Sequence, residues 1–294
     1  MSAPRPVSEN APAKVNLFLH VTGRRSDGFH ELDSLVVFAG PGDRVSVAPG
    51  APGEGISLDI CGPFAAAIAN EPREANLVFR AADRLAEALR RRADLTIALE
   101  KNLPVAAGIG GGSADAAACL RALARLWALE DERSPLLERV AAELGADIPA
   151  CLNGAPSRMQ GIGERLMPVE ALPSMALLLV NPGMPCPTGA VFAARQAAFS
   201  DPAKWEPFDQ GFEAFAAWLR GQTRNDLWDP AVGLVPAIGG VLEAIEQQPG
   251  CRIARMSGSG ATCFGLFADL GAAQRAAQSI AKRHPGWWVS AGMA

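Results

Sequence analysis

The chain has 294 residues, of which 27 are Lys or Arg and 31 are Asp or Glu, for a formal charge of −4. Half is hydrophobic (49%) and only 20% is charged, with 30 Gly, 23 Pro and no Tyr. Such a chain can bury a real core and is long enough for two domains, which excludes disorder for its bulk, and a mildly acidic balance without long basic runs excludes a duplex nucleic-acid binder.

Residues 1–10 are too polar for a signal peptide and too poor in Arg for a transit peptide, so a cytoplasmic protein is expected. Residues 13–21 open with the polar–apolar alternation of a half-buried strand. A turn-rich stretch at 22–28 leads to β-rich runs at 32–38, 44–47 and 56–60, and together they predict a β-meander. From Asn76 the period changes. Leu77, Ala81, Leu85 and Leu89 recur every four residues, and Asn76 suits the cap of that amphipathic helix. The cluster Arg90-Arg91-Arg92 reads as its solvated end.

A strand at 95–99, a glycine-rich loop at 108–112 and a helix at 113–127 follow, then a helix at 135–144 closed by Gly145. Asn153-Gly154-Ala155-Pro156 marks a boundary between expected domains at 1–155 and 156–294. Beyond it the pattern predicts a strand at 177–180, helices at 189–199 and 235–247, and a strand at 252–256. The loop Ser257-Gly258-Ser259-Gly260, a strand at 262–267, a helix at 271–283 and a strand at 287–290 complete a βαβ-like ending. The expected class is α+β with two lobes, and residues 200–209 read as an insertion. No apolar run approaches the roughly 18 residues of a membrane span. The cysteines at 61, 119, 151, 186, 251 and 263 never fall at CxxC spacing, so most of them read as small buried hydrophobes.

The strongest chemical signal is Pro104-Val105-Ala106-Ala107-Gly108-Ile109-Gly110-Gly111-Gly112-Ser113-Ala114. Clustered glycines let backbone N–H groups turn toward one point, and a helix beginning at Ser113 adds free amides and the positive end of its dipole. That combination is an anion cradle. A Walker loop is excluded because no Lys lies between Gly108 and Ala128. A dinucleotide fingerprint has acidic residues in Glu130 and Asp131 about 20 residues on, but residues 101–107 separate its glycines from the strand. A ligand-free connection is a third option, at an entropic cost without evident return.

The motif around Gly108 resembles the central phosphate-binding motif of the GHMP kinases. Ala11-Pro12-Ala13-Lys14-Val15-Asn16-Leu17 is similar to their first motif, and Ser257-Gly258-Ser259-Gly260-Ala261 to their third. Asp27-Gly28-Phe29-His30-Glu31-Leu32 and Leu144-Gly145-Ala146-Asp147-Ile148-Pro149 narrow the resemblance to members that phosphorylate the 2-hydroxyl of a cytidyl-diphosphate methylerythritol on the non-mevalonate isoprenoid route. Homoserine or mevalonate kinases and a dinucleotide-binding oxidoreductase are the alternatives.

The resemblance implies a two-lobed fold, with an S5-like ATP-binding N-terminal domain and an α/β-plait-like C-terminal domain. It implies ATP and Mg²⁺ as cofactors, a small-molecule partner, no nucleic-acid or membrane partner, and a monomer or homodimer. Residues 104–114 would wrap the phosphates, with Ser113 near the β- and γ-phosphates or Mg²⁺, and Asn76 and Lys101 on the nucleotide side. Asn76 and Lys101 read equally as a helix cap and a strand-end charge.

Asp147 would be the general base, and Lys14 the charge that keeps it ionised. Taken alone, Asp147 reads as a turn residue at a helix end where a carboxylate gains nothing from the dipole, and Lys14 as a snorkelling strand residue. Asn16, Phe29, His30, Thr188, Phe192, Gly258, Ser259 and Gly260 would bind the substrate. Phe29 stands where the family has Tyr, and Ala114-Asp115 where it commonly has Ser-Asn. A carboxylate at 115 suits a helix N-terminus but not adjacent phosphate, so it either points away or meets Mg²⁺ through water, and no direct metal ligand is identified.

Overall fold

A computed structural model describes residues 6–129, 134–170, 172–205 and 211–294. Glu130, Asp131 and the 206–209 part of the expected insertion lie outside them. The chain forms two compact units, one of residues 1–13, 42–105 and 110–154, the other of residues 14–41, 106–109 and 155–294. Strands β1 (Val7–Arg24) and β2 (His30–Pro49) pair and contribute residues to both units.

The runs at 32–38 and 44–47 are therefore one strand, although Gly40-Pro41-Gly42 has the composition of a turn. Gly42 permits this because β1 passes so close that an added Cβ would stand 2.5 Å from the Ala11 carbonyl oxygen. In the first unit come β3 (Ile56–Cys61), α1 (Leu77–Ala88), β4 (Leu95–Glu100), α2 (Gly111–Leu126), α3 (Pro135–Leu144) and α4 (Ile148–Asn153). The expected meander stops after β2. Strand β3 lies parallel to β4, and β4 takes the place beside β2, antiparallel to residues 44–49. Helix α1 is the crossover between the two parallel strands. Leu95, Ile97 and Leu99 alternate inward, and α1 buries Val78, Ala81, Ala82, Leu85 and Ala86 at helical spacing.

The second unit adds β5 (Ser157–Gly161), β6 (Arg165–Pro168), β7 (Ala176–Asn181), α5 (Thr188–Ala194), α6 (Gly211–Gln222), α7 (Trp228–Leu234) and α8 (Ala237–Glu246). Strand β8 (Ile253–Met256), β9 (Cys263–Phe267), α9 (Leu270–Arg283) and β10 (Trp288–Met293) follow. Strand β7, buried at all six residues, is flanked by β10 and β9 in the order β10-β7-β9-β8, every neighbour antiparallel. Strands β9 and β10 thus run parallel on either side of β7, joined by α9, as the βαβ-like ending predicts. Strand β5 pairs with residues 32–36 of β2 and with β6.

Three further differences from the sequence reading bear on function. Helix α2 begins at Gly111, two residues before Ser113, because Gly110 (φ +63°) takes the left-handed turn that starts it. Helix α5 ends at Ala194, with Arg195 extended, short of the expected 199. Helix α4, unforeseen at six residues with Pro149 in its first turn, begins directly after Asp147.

Candidate active site

The glycine-rich loop alternates backbone handedness. Ala106, Gly108 and Gly110 have φ of +51°, +73° and +63°, whereas Ala107 and Ile109 do not have positive φ. Positive φ at every second residue lets the intervening N–H groups turn to one side, as a concavity for an anion requires, and the first turn of α2 follows at once. The next described element after α2 is α3, not a strand, so the βαβ unit of a dinucleotide fold is missing here.

In the second unit three distant segments meet through backbone. Lys14 N–H donates to the Ile109 carbonyl (2.9 Å), and Thr262 N–H to that of Ala107 (3.1 Å). The Ser257 hydroxyl accepts from Asn16 N–H (3.0 Å) and donates to the Gly108 carbonyl (2.9 Å). A Cβ on Gly108 would sit 2.7 Å from Gly260 N and one on Gly258 2.8 Å from the Gly108 carbonyl oxygen, so both glycines are required by the closeness of the two loops. Asn225 Nδ2 steadies the second loop, donating to the Met256 and Gly258 carbonyls at 2.8 Å each. Asn16 Nδ2 donates to Ser34 Oγ (2.7 Å), which donates to the Phe18 carbonyl (2.6 Å). Thr188 and Ser259 share a hydroxyl–hydroxyl bond of 2.8 Å.

His30 stacks on Phe192, centroids 5.0 Å apart and planes inclined by 26°. Burial, with the nearby charges of Arg24 and Arg195, lowers the His30 pKa, so its ring is neutral at neutral pH and offers one donor and one acceptor. Phe29 is 60% exposed, a hydrophobic ring held out in solvent.

In the first unit, Asn76 caps α1, its side chain accepting from Val78 N–H (2.9 Å). Lys101 is buried at the end of β4, its ammonium bonded to Asp43 Oδ2 and to Asp115 Oδ2 (2.7 Å). Burial works to lower the Lys101 pKa, but the two carboxylates outweigh it and the pKa is raised. Asp115 thus points toward Lys101. Asp147 corrects an expectation: it is the residue before α4, at the dipole's positive end where a carboxylate is favoured, and its side chain makes no capping bond to that helix. Asp147 belongs to the first unit and Lys14, itself buried, to the second.

Sequence reasoning missed Asp43, Ser34 and Asn225. Ser34 carried a usable signal: a hydroxyl inside an apolar strand run must find a partner. Among the described residues no three His, Cys, Asp or Glu side chains gather to hold a metal ion. Asp115, on α2, is bonded to Lys101. Magnesium keeps several waters and is bound through one or two carboxylates together with nucleotide phosphates. The described residues contain no helix long and apolar enough to cross a membrane.

The family models for the GHMP kinases N terminal domain and the GHMP kinases C terminal match residues 76–155 and 210–286. Among curated relatives, the 4-diphosphocytidyl-2-C-methyl-D-erythritol kinase of Rhodospirillum rubrum is 50% identical over 285 residues, covering 97% of this chain and 91% of the relative. That of Cereibacter sphaeroides is 53% identical over 284 residues, 95% and 96% of the two chains. A crystal structure of 4-(cytidine 5'-diphospho)-2C-methyl-D-erythritol kinase superposes with a TM-score of 0.77 at 35% identity, covering 97% of this chain and 98% of that one. Homoserine kinase from Cytophaga hutchinsonii, 18% identical with a TM-score of 0.67 and 99% and 96% covered, shares the fold.

Proposed function

Because the chain belongs to the GHMP kinases, we infer that it is the ATP-dependent kinase that phosphorylates the 2-hydroxyl of 4-(cytidine 5'-diphospho)-2-C-methyl-D-erythritol in the non-mevalonate isoprenoid pathway. In this reading residues 1–155 carry the nucleotide cradle and the base, and residues 156–294 contribute to the substrate side. The protein works in the cytoplasm as a monomer or homodimer.

Phosphoryl transfer asks the protein for position and charge neutralisation more than for covalent chemistry. The nest at 106–110 and the amides of Gly111, Gly112 and Ser113 receive the ATP phosphates. Mg²⁺ accompanies ATP and supplies charge neutralisation at those phosphates. Asp147 accepts the proton of the 2-hydroxyl as that oxygen bonds to the γ-phosphorus; the bond from phosphorus to the β,γ-bridging oxygen breaks, and ADP leaves with its electron pair. Lys14 keeps Asp147 ionised and offsets the charge growing on the attacking oxygen. His30, with one donor and one acceptor nitrogen, reads the cytosine edge, and Phe29 and Phe192 offer ring faces. Asn16, Thr188 and the loop Gly258-Ser259-Gly260 bind the remainder of the substrate.

The observation that carries this reading is the meeting of Lys14–Asn16, Ala107–Ile109 and Ser257–Thr262 through backbone bonds and the Ser257 hydroxyl. An ADP-release assay over the cytidyl substrate, homoserine and mevalonate tests it. ATP-dependent turnover of the cytidyl alcohol alone is expected; preference for either other acceptor would overturn the substrate assignment.

A further inference from the structure

Residues 104–110 connect the end of β4 to the start of α2, and what holds those two ends is a buried cluster that the chemistry above does not use. Asp43 Oδ1 accepts the backbone N–H groups of Asn102 (2.5 Å) and Leu103 (2.8 Å), the last residues before the loop. Asp43 Oδ2 accepts from the Lys101 ammonium, and the same ammonium donates to Asp115 Oδ2 at 2.7 Å, in the second turn of α2. The side chains of Asp43, Lys101 and Asp115 are 0%, 4% and 4% exposed. The cluster lies directly against the first residue of α2, since a Cβ added to Gly111 would stand 3.5 Å from Lys101 Nζ and 3.8 Å from Asp43 Oδ2.

We propose that Asp43, Lys101 and Asp115 form a clasp that fixes the two ends of the phosphate-binding loop, so that Lys101 acts as a positioning residue and not by touching the nucleotide. One ammonium joins both ends. Its bond to Asp43 ties it to the incoming strand end, and its bond to Asp115 ties it to the outgoing helix. The donors that meet the phosphates are backbone amides, which have no side chain of their own to aim them; their direction is set by where the loop's ends are held. A shift of an ångström at either end misdirects the nest without disturbing a ligand-contacting side chain. Burial makes the clasp stiff: removing one charged partner leaves the others uncompensated away from water, so the cluster has one favoured arrangement.

The proposal rests on reading residues 104–114 as the ATP site, and its test separates the two. Lys101→Met and Asp43→Asn, alone and combined, are assayed in the full chain for KM of ATP, KM of the cytidyl substrate and kcat. Affinity for a non-hydrolysable ATP analogue is measured by calorimetry. The clasp predicts that each single variant raises the ATP KM and the analogue Kd at least ten-fold and leaves the cytidyl KM within two-fold. It also predicts that the double variant is scarcely worse than either single one, because both break the same link.

A loss in Lys101→Met with Asp43→Asn unchanged would make Lys101 a nucleotide contact and overturn the clasp, as would two unchanged variants or multiplying losses. Should Lys101→Met fail to fold, Asp43→Asn decides by the same ATP-against-cytidyl split. If the wild type binds the analogue but phosphorylates none of the acceptors, the substrate reading falls while the calorimetric comparison still judges the clasp. If the wild type does not bind the analogue, the ATP-site reading and the clasp fall together.

Discussion

His30 and Phe192 lie face to face, 5.0 Å between ring centroids, while Phe29, the residue before His30, stands 60% exposed. Two aromatic surfaces already satisfy each other, and one waits in solvent. In a chain without tyrosine the exposed ring is the natural face for a flat heterocycle. Base–aromatic stacking is worth about 1–3 kcal/mol, so Phe29→Ala is expected to raise the KM for the cytidyl substrate by about five- to 150-fold and leave the ATP KM within two-fold. Equal effects on both would remove Phe29 from the cytosine site. Phe29→Tyr, which restores the family's phenol, should keep or improve affinity.

Asp147 precedes α4, and in the proposed mechanism it is the general base with Lys14 as its charge partner. A positioned base contributes about 10²- to 10⁴-fold. Asp147→Asn and Lys14→Met are each expected to lower kcat by that order, with melting temperature and ATP affinity near wild type. A variant of either kind that turns over at the wild-type rate would refute the assigned chemistry.

The cradle was legible in the sequence because glycine is the residue for left-handed backbone, and four of them between 108 and 112 with one interruption have few other uses. The capped helix α1 was legible for a similar reason: Asn76 and its apolar spacing are local signals. The clasp was not, since Lys101 and Asp43 are 58 residues apart and Asp43 follows a Pro-Gly pair that resembles a turn. The position of Asp147 was misread because α4 has only six residues, too few to display a period, and one of them is a proline. Signals carried within one turn or one strand were read; those created by chain segments meeting in space were not.

Asp115 is pushed up from its ordinary 3.8 to about 8, by burial first and then by Asp43, with Lys101 pulling the other way. Its second oxygen, Oδ1, is buried without a hydrogen-bond partner among the described residues. A carboxyl whose pKa is raised on folding binds more protons in the native state than in the unfolded one between those two values. Its contribution to stability is therefore present at low pH and is lost as pH rises from about 4 to about 8. One such proton amounts to at most about 1.4 kcal/mol per pH unit. Urea midpoints from pH 5 to pH 9 should fall more steeply in the wild type than in Asp115→Asn, which cannot titrate. Parallel curves would show that Asp115 is already ionised throughout.

Gly108 is constrained twice, by a φ of +73° and by the Ser257–Gly260 loop packed against its Cα. An alanine there would meet the Gly260 nitrogen at 2.7 Å as well as the Ser257 carbonyl, and backbone cannot swing aside as a side chain can. The left-handed conformation alone costs a non-glycine residue about 1–2 kcal/mol, and the collision adds to it by forcing the two loops apart. Gly108→Ala is therefore expected to lower stability by more than about 2 kcal/mol and to blunt the rise in melting temperature that Mg-ATP gives the wild type. Gly112→Ala is the control. It has no positive φ, its nearest added contact is a Leu77 methyl at an ordinary 3.6 Å, and it lies inside α2 where alanine is the better helix former. Should both variants melt and respond to Mg-ATP alike, the contact between the two loops would have no part in shaping the nucleotide site.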